Sequence, residues 1–148
     1  MSKLKTNTIR HNDASIDSLT LASSGTSTFN AAAIGTVTTL TDAATIGSGQ
    51  NLDFAKSNHF TLLTTSGVGN TRQLGQPANQ VAGQSGSIFV KQDGTGSRLL
   101  TYHADWHFVG GGTPTISTAA NAVDRIDYIV AEANKIHAVV SLDIKTGD

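Results

Sequence analysis

The chain has 148 residues, of which 14% are charged and 5% aromatic, and its formal net charge is −1. This weak acidic balance argues against non-specific nucleic-acid binding, which needs a basic surface. There is no cysteine, so disulfides, thiol catalysis and cysteine-ligated zinc are excluded, and no apolar run is long enough to predict membrane insertion. The length allows one domain and an appendage.

A three-residue repeat of apolar side chains runs from Ile16 to Ile46. A stripe of that period would spiral around an α-helix, and a flat strand has period two. Period three therefore indicates an extended chain that turns by about a third of a circle per residue. Because so narrow a segment buries little surface alone, we expect its stripe to pack against copies of itself. The predicted seam between the chains comprises Ile16, Leu19, Ile34, Val37, Leu40 and Ile46.

The glycines Gly47 and Gly49 interrupt this repeat and predict a boundary near residue 50. The segment before it, 1–50, is interpreted as an N-terminal attachment segment and a self-associating stalk. The part after it, 51–148, carries the Trp, both Tyr and four of the five Phe. Since these side chains form cores, residues 51–148 are predicted to be a β-sandwich knob domain.

Alternating and β-branched runs predict strands at 58–65, 87–92, 98–109, 123–130 and 135–144. The dipeptide Asp93-Gly94 favours a hairpin between the second and third of these strands, and a short turn at 132–134 joins the last two. Helix is nearly absent. The predicted class is all-β, with an N-terminal extended and intertwined segment before a small antiparallel, jelly-roll-like β-sandwich.

In the predicted strand 98–109, side chains alternate between two faces. Tyr102, Trp106 and Phe108 fall on one face, which we expect to be buried, and His103 and His107 fall on the other. The same reasoning applied to the other strands completes the predicted core, which comprises Phe89, Tyr102, Trp106, Phe108, Ile126 and Tyr128.

The sequence His103-x-Asp105-x-His107 is the best metal candidate in the chain. Same-face residues of a strand lie about 6.5–7 Å apart, whereas zinc needs each ligand at about 2.0–2.2 Å. One ion would therefore need ligands from another strand or subunit, and an exposed polar stripe is the favoured interpretation. Ser85 lacks the glycine spacing of a nucleophile elbow and precedes a strand rather than a helix. The sequence predicts neither an enzyme nor a cofactor.

Residues 81–98, VAGQSGSIFVKQDGTGSR, and residues 106–114, WHFVGGGTP, resemble C-terminal β-domains of tail-fibre and other virion structural proteins of tailed bacteriophages. Such proteins are especially common among phages of marine and cyanobacterial hosts. The opening residues 4–9, LKTNTI, are similar to the starts of many short phage appendage proteins. The resemblance implies a homotrimer located on the virion and made in the host cytoplasm.

Three functions remain open at this point. The first is a trimeric tail appendage, a short fibre or spike, that docks on a tail adaptor or baseplate and contacts a host surface glycan or protein. The second is a trimeric capsid decoration (cement) protein that stabilises the shell by binding the major capsid protein. The third is a lectin-like or metal-dependent enzyme domain. In the first, the loops at 67–70, 93–97 and 110–114 would be displayed outward.

Overall fold

The computed structural model describes residues 52–64 and 70–145 throughout, together with strands at 19–21, 27–29, 37–41 and 45–46. These residues are nearly all β, which confirms the predicted class. Their helical content is a short 3-10 helix at Val109–Gly111. The chain forms two compact units that divide between Ile34 and Gly35. In the first unit, β1 (Leu19–Leu21) pairs antiparallel with β2 (Ser27–Phe29).

The remaining strands belong to the second unit. They are β3 (Val37–Thr41), β4 (Thr45–Ile46), β5 (His59–Leu63), β6 (Thr71–Leu74), β7 (Ser85–Lys91), β8 (Leu99–Tyr102), β9 (Trp106–Phe108), β10 (Val123–Glu132) and β11 (Lys135–Ser141). Within the described residues they form a larger sheet, in the order β3-β5-β7-β10-β11-β9, and a smaller one, in the order β4-β6-β8. Because β3 and β4 pair with β5 and β6, this unit begins earlier than the predicted boundary at residue 50.

From β3 to β8 the chain alternates between the two sheets. In the larger sheet β3, β5 and β7 run parallel, and in the smaller sheet β4, β6 and β8 do the same. Val37, His59 and Ser87 consequently share one row of the larger sheet. Successive strand pairs stack as coils, the arrangement found in β-solenoids.

The predicted antiparallel hairpin across Asp93-Gly94 is wrong, because β7 and β8 lie in different sheets. The Asp93 side chain holds the turn that is found instead. Its Oδ1 accepts hydrogen bonds from the backbone N–H groups of Thr95, at 3.0 Å, and Gly96, at 2.8 Å, and Arg98 donates to its Oδ2 at 2.8 Å. The chain passes through this turn to the other sheet rather than back along β7. The larger sheet is mixed and the smaller one is parallel, whereas the sheets of the predicted jelly roll would be antiparallel.

The predicted hairpin at the C-terminal end of the chain is confirmed. β10 pairs antiparallel with β11, with Tyr128 opposite Ala138. On its other side β10 pairs antiparallel with β7, and β9 joins β11 as a parallel edge strand. The side chains of Ile126, Tyr128 and Val130 all turn inward, which is the alternation expected of a strand with one buried face.

A hydrophobic cluster joins the two sheets and forms the core. Ile88 and Ile126 contribute from the larger sheet, and Leu74 and Leu100 contribute from the smaller one. Phe54 stacks on Tyr128 with ring centroids 4.7 Å apart, a separation at which aromatic pairs attract beyond their buried area. The two layers therefore share one apolar interior, as in a β-sandwich.

The predicted core residues differ in burial. Trp106, Ile126 and Tyr128 are buried, and Tyr102 and Phe108 are half-buried against the cluster. Phe89 does not belong to the core. Alternation along β7 turns Ile88 and Val90 inward, so Phe89 lies on the opposite face of the sheet, where it pairs with Arg125 and Thr61.

Two members of the predicted trimer seam lie on opposite faces of β3. Val37 is 48% exposed, whereas Leu40 is 7% exposed and belongs to the core of its own chain. The period along β3 is two, so the three-residue stripe does not form one face there, and Leu40 is corrected from a seam residue to a core residue. Leu19 and Ile46 lie in β1 and β4, and Ile16 and Ile34 lie outside the described residues.

Candidate functional site

The structure separates the two candidate metal ligands. β8 ends at Tyr102, residues 103–105 turn, and β9 begins at Trp106, so the continuous strand predicted for 98–109 is interrupted. His103 contacts Asp105, whereas His107 lies beside His137 with ring centroids 6.2 Å apart. Within the described part of the chain, no group of three His, Asp or Glu side chains is placed to hold a metal ion.

Concavities meet instead at Phe108, in a region that we term the β9 corner and that comprises residues 102–114. Phe108 lines a cleft of about 460 Å³, a second of about 340 Å³ and a pocket of about 210 Å³. The loop after β9 forms part of these walls, and it folds through positive φ angles of 74° at Gly110 and 73° at Gly111. Only glycine adopts such angles without strain, so the glycine run is what allows this loop to close the corner.

The largest concavity, the apolar cleft, lies on the outer face of the larger sheet. Ile129 pairs with His137, which in turn pairs with His107, so these three side chains form one row across β10, β11 and β9. Ile129 and Val139, both in the wall, are 47% and 56% exposed. Large apolar side chains clustered on an open sheet face are typical of a surface that contacts another macromolecule.

The smallest concavity, the polar pocket, lies between the end of β8 and the glycine loop. Its lining combines aromatic rings, imidazoles and backbone, and comprises Tyr102, His103, Ala104, Trp106, His107, Phe108, Gly111, Gly112 and Thr113. Tyr102 and Phe108 contact each other edge to face, with centroids 4.7 Å apart. Ring edges and faces beside a few uncharged polar groups are the usual composition of a small-molecule site.

A buried carboxylate holds one wall of the polar pocket. Asp105 is buried, and its Oδ2 accepts hydrogen bonds from the amides of Gln76, at 3.0 Å, and Gln80, at 3.2 Å. Its Oδ1 lies 3.0 Å from Nδ1 of His103. Gln76 also donates to Oδ1 of Asn134 at 2.7 Å. The network therefore fixes the turn before β9 against the turn between β10 and β11, and it fixes the His103 ring.

The two tyrosines of this region hold their protons. Burial raises the pKa of Tyr128, whose hydroxyl donates to the carbonyl of Asn58 at 3.0 Å. Burial, and secondarily the negative charge of Asp124, raise the pKa of Tyr102. The Tyr102 hydroxyl is buried and has no hydrogen-bond partner within the described residues. Both phenols therefore remain hydrogen-bond donors at neutral pH.

The Trp106 side chain stabilises the fold and contributes little to the exposed surface. Its side chain is 5% exposed, and its indole N–H donates to the carbonyl of Gly75 at 2.9 Å. A buried indole with a satisfied N–H anchors β9 to the loop after β6. Trp106 can therefore offer the polar pocket only a small part of its ring.

Sequence reasoning overlooked Asp105 as an anchor and did not assign a role to Asp124. Asp124 is buried, and its carboxylate accepts from the backbone N–H groups of Ser117, at 2.6 Å, and Asp143, at 2.7 Å. The local signal for the Asp105 network was the amide-rich run 76–80, QPANQ, which has no obvious surface role. Its partners lie far apart in the sequence, so the run alone could not identify them.

The described part of the chain contains no helix that is long and apolar enough to cross a membrane. Comparisons with protein-family models, with curated proteins and with solved structures find no match for this chain.

Proposed function

We propose that this chain is a non-enzymatic structural protein of a bacteriophage particle, a homotrimeric tail appendage that contacts the host surface. The resemblance of residues 81–98 and 106–114 to phage virion β-domains supports the proposal. In the fold, these two segments form β7 with its following corner, and β9 with the glycine loop. They therefore include both the central strand of the larger sheet and the surface with the concavities.

The observation that carries the proposal is the exposed apolar surface on the outer face of the larger sheet. Ile129 and Val139 are each about half exposed in the apolar cleft, and Val37, which lies apart from them on the edge strand β3, is exposed to the same extent. Burying such side chains contributes about 25 cal/mol for each Å² removed from water. A protein that assembles with copies of itself or with other virion proteins gains this stabilisation, whereas an isolated monomer leaves it unused.

A capsid decoration protein is the second candidate, because the same surface would suit packing on a shell. The apolar cleft is shallow and spreads over β9, β10 and β11, which fits a broad protein contact. The two candidates share the trimer and differ in their virion partner, which is a tail adaptor or baseplate in one case and the major capsid protein in the other.

Counting the copies of this protein in purified particles tests the proposal. Quantitative mass spectrometry against the major capsid protein should give a few to a few tens of copies, in multiples of three, for a tail appendage. Hundreds of copies would identify a decoration protein instead. Absence from particles would refute both candidates. Light scattering of the purified chain would independently test whether its mass is that of three copies.

A further inference from the structure

We propose that the polar pocket at the β9 corner binds one ring of a neutral saccharide. This inference rests on the proposed function in that a host surface glycan would supply the ligand, but the argument for it comes from the pocket itself. Three features of the pocket carry it, namely its size, its uncharged lining and the histidine that the buried network holds in its wall.

The size of the pocket limits the ligand. At about 210 Å³, it is smaller than the range of about 300–1,000 Å³ that is usual for drug-sized molecules. It therefore suits a single ring rather than an extended ligand. The neighbouring clefts are larger and more apolar, and they leave room for the rest of a chain that is attached to that ring.

The chemistry of the lining favours a neutral molecule with both hydroxyl groups and C–H faces. Tyr102 and Phe108 contribute half-buried rings, and Thr113 contributes a hydroxyl group. The lining contains no Lys, Arg, Asp or Glu side chain among the described residues. A charged ligand would therefore be desolvated without a compensating ion, which is costly, whereas a sugar ring has apolar C–H groups for the aromatic rings and hydroxyls for the polar groups.

The orientation of His103 indicates a built site. Its Nδ1 lies 3.0 Å from Oδ1 of Asp105 and 3.3 Å from the backbone N of the same residue. Asp105 therefore engages Nδ1 whether or not that nitrogen carries the proton, and Nε2 has no partner within the described residues. The side chain is 40% exposed. The fold thus holds the ring so that Nε2 offers one hydrogen bond at the pocket, as a donor or as an acceptor, which lowers the entropy cost of binding a ligand hydroxyl.

Tyr102 contributes its ring to the pocket but not its hydroxyl. The hydroxyl oxygen is fully buried without a partner in the described part of the chain, so a ligand in the pocket does not reach it. The lining still offers both hydrogen-bond roles, because the Thr113 hydroxyl can donate as well as accept.

Nuclear magnetic resonance titration of the full chain with glucose, galactose, mannose and N-acetylglucosamine tests this inference. We expect at least one of these sugars to bind in the millimolar range, which is typical for so small a ligand. The backbone amide signals of His103, Ala104, Gly111, Gly112 and Thr113 should shift. His103→Ala should weaken binding about tenfold, the effect of losing one good hydrogen bond.

Two further variants separate pocket binding from damage to the fold. Gly112 lines the pocket, has a φ of −83°, and a Cβ there meets nothing within 4 Å. Gly112→Leu should therefore fold normally and block the pocket. Gly94→Leu, in an exposed turn where a Cβ also meets nothing, and His137→Ala, in the apolar cleft, are matched controls that should bind as the original chain does.

The inference is overturned if none of the four sugars binds, if the signals that shift lie away from the pocket, or if His103→Ala and Gly112→Leu bind as well as the controls. The particle count decides the proposed function separately. A protein that is present in particles but binds no sugar would refute only the saccharide site. Sugar binding by a protein that is absent from particles would refute only the virion function.

Discussion

Val37 and Leu40, three residues apart on β3, should respond to substitution in opposite ways. Leu40 is 7% exposed and packs in the core, whereas Val37 is 48% exposed on the outer face. Leu40→Ala should lower the free energy of unfolding by about 2–3 kcal/mol, the lower part of the range for buried leucines, because β3 is an edge strand within the described residues. Val37→Asp should change it by no more than about 1 kcal/mol.

The effect on assembly should be the reverse. If the outer face at Val37 takes part in the trimer, Val37→Asp buries three carboxylates at the interface without partners and should dissociate it. Light scattering should then show a mass of one chain. Leu40→Ala should keep the mass of three copies wherever it remains folded, because Leu40 already packs within its own chain.

Urea unfolding followed by Trp106 fluorescence is a suitable assay, since Trp106 is the only tryptophan of the chain and is buried. All variants should be compared at one protein concentration, because association adds to apparent stability. A loss of less than about 1 kcal/mol in Leu40→Ala would contradict its place in the core. An unchanged mass in Val37→Asp would remove Val37 from the interface.

Two further predictions concern β7 and the turn that follows it. Gly86→Ala should lower the free energy of unfolding by about 2–4 kcal/mol, because the new Cβ would lie 1.7 Å from the Asn58 carbonyl oxygen. Gly94→Ala is the matched control. Its Cβ would have no atom within 4 Å, so it should leave the free energy of unfolding unchanged in the same urea titration. Hydrogen bonding from Arg98 chiefly holds the pKa of Asp93 below its ordinary value. A lowered native pKa contributes stability above the unfolded pKa that is lost as the pH falls through the native value. The Asp93→Asn variant should therefore lose less of its free energy of unfolding than the original chain when the pH is lowered from about 7 to about 3. An equal loss in both proteins would contradict a stabilising role of the Asp93–Arg98 pair.

The alternation of side chains was enough to predict β10 and β11 and the inward residues of β10. Both strands follow one another closely and are joined by a short turn, so local pattern and final pairing agree. Alternation alone did not determine which face of the sheet Phe89 lies on. β7 has one apolar residue after another at 88–90, and only its pairing with β5 and β10 decides that Ile88 and Val90 face the core.

The parallel stacking could not be predicted from residues near one another in the sequence. Asp93-Gly94 is a turn signal, but a turn can return a strand to its own sheet or send it to the other. Arg98, which donates to Asp93 within this turn, also donates to Oδ1 of Asn70 at 2.6 Å, although the two residues are 28 positions apart. Such long-range contacts leave no periodic signal. The same holds for Gln76 and Gln80, which bond to Asp105, and for Asn134, which bonds to both of these glutamines.

The location of the polar pocket follows from the way the chain leaves the stacked parallel strands β3 to β8. In the described residues β8 is one edge strand of the smaller sheet, and β9 is one edge strand of the larger sheet. The chain must cross between them through residues 103–105, where the backbone N–H of His103 still bonds to Leu74 and that of Trp106 bonds back to His103. Among the described residues no strand closes the gap between the layers at this crossing, and side chains and the glycine loop line it instead. Substitutions at its rim, as at His103 and Gly112, should therefore alter ligand recognition at little cost in stability, whereas those at Trp106 or Asp105 should destabilise the fold.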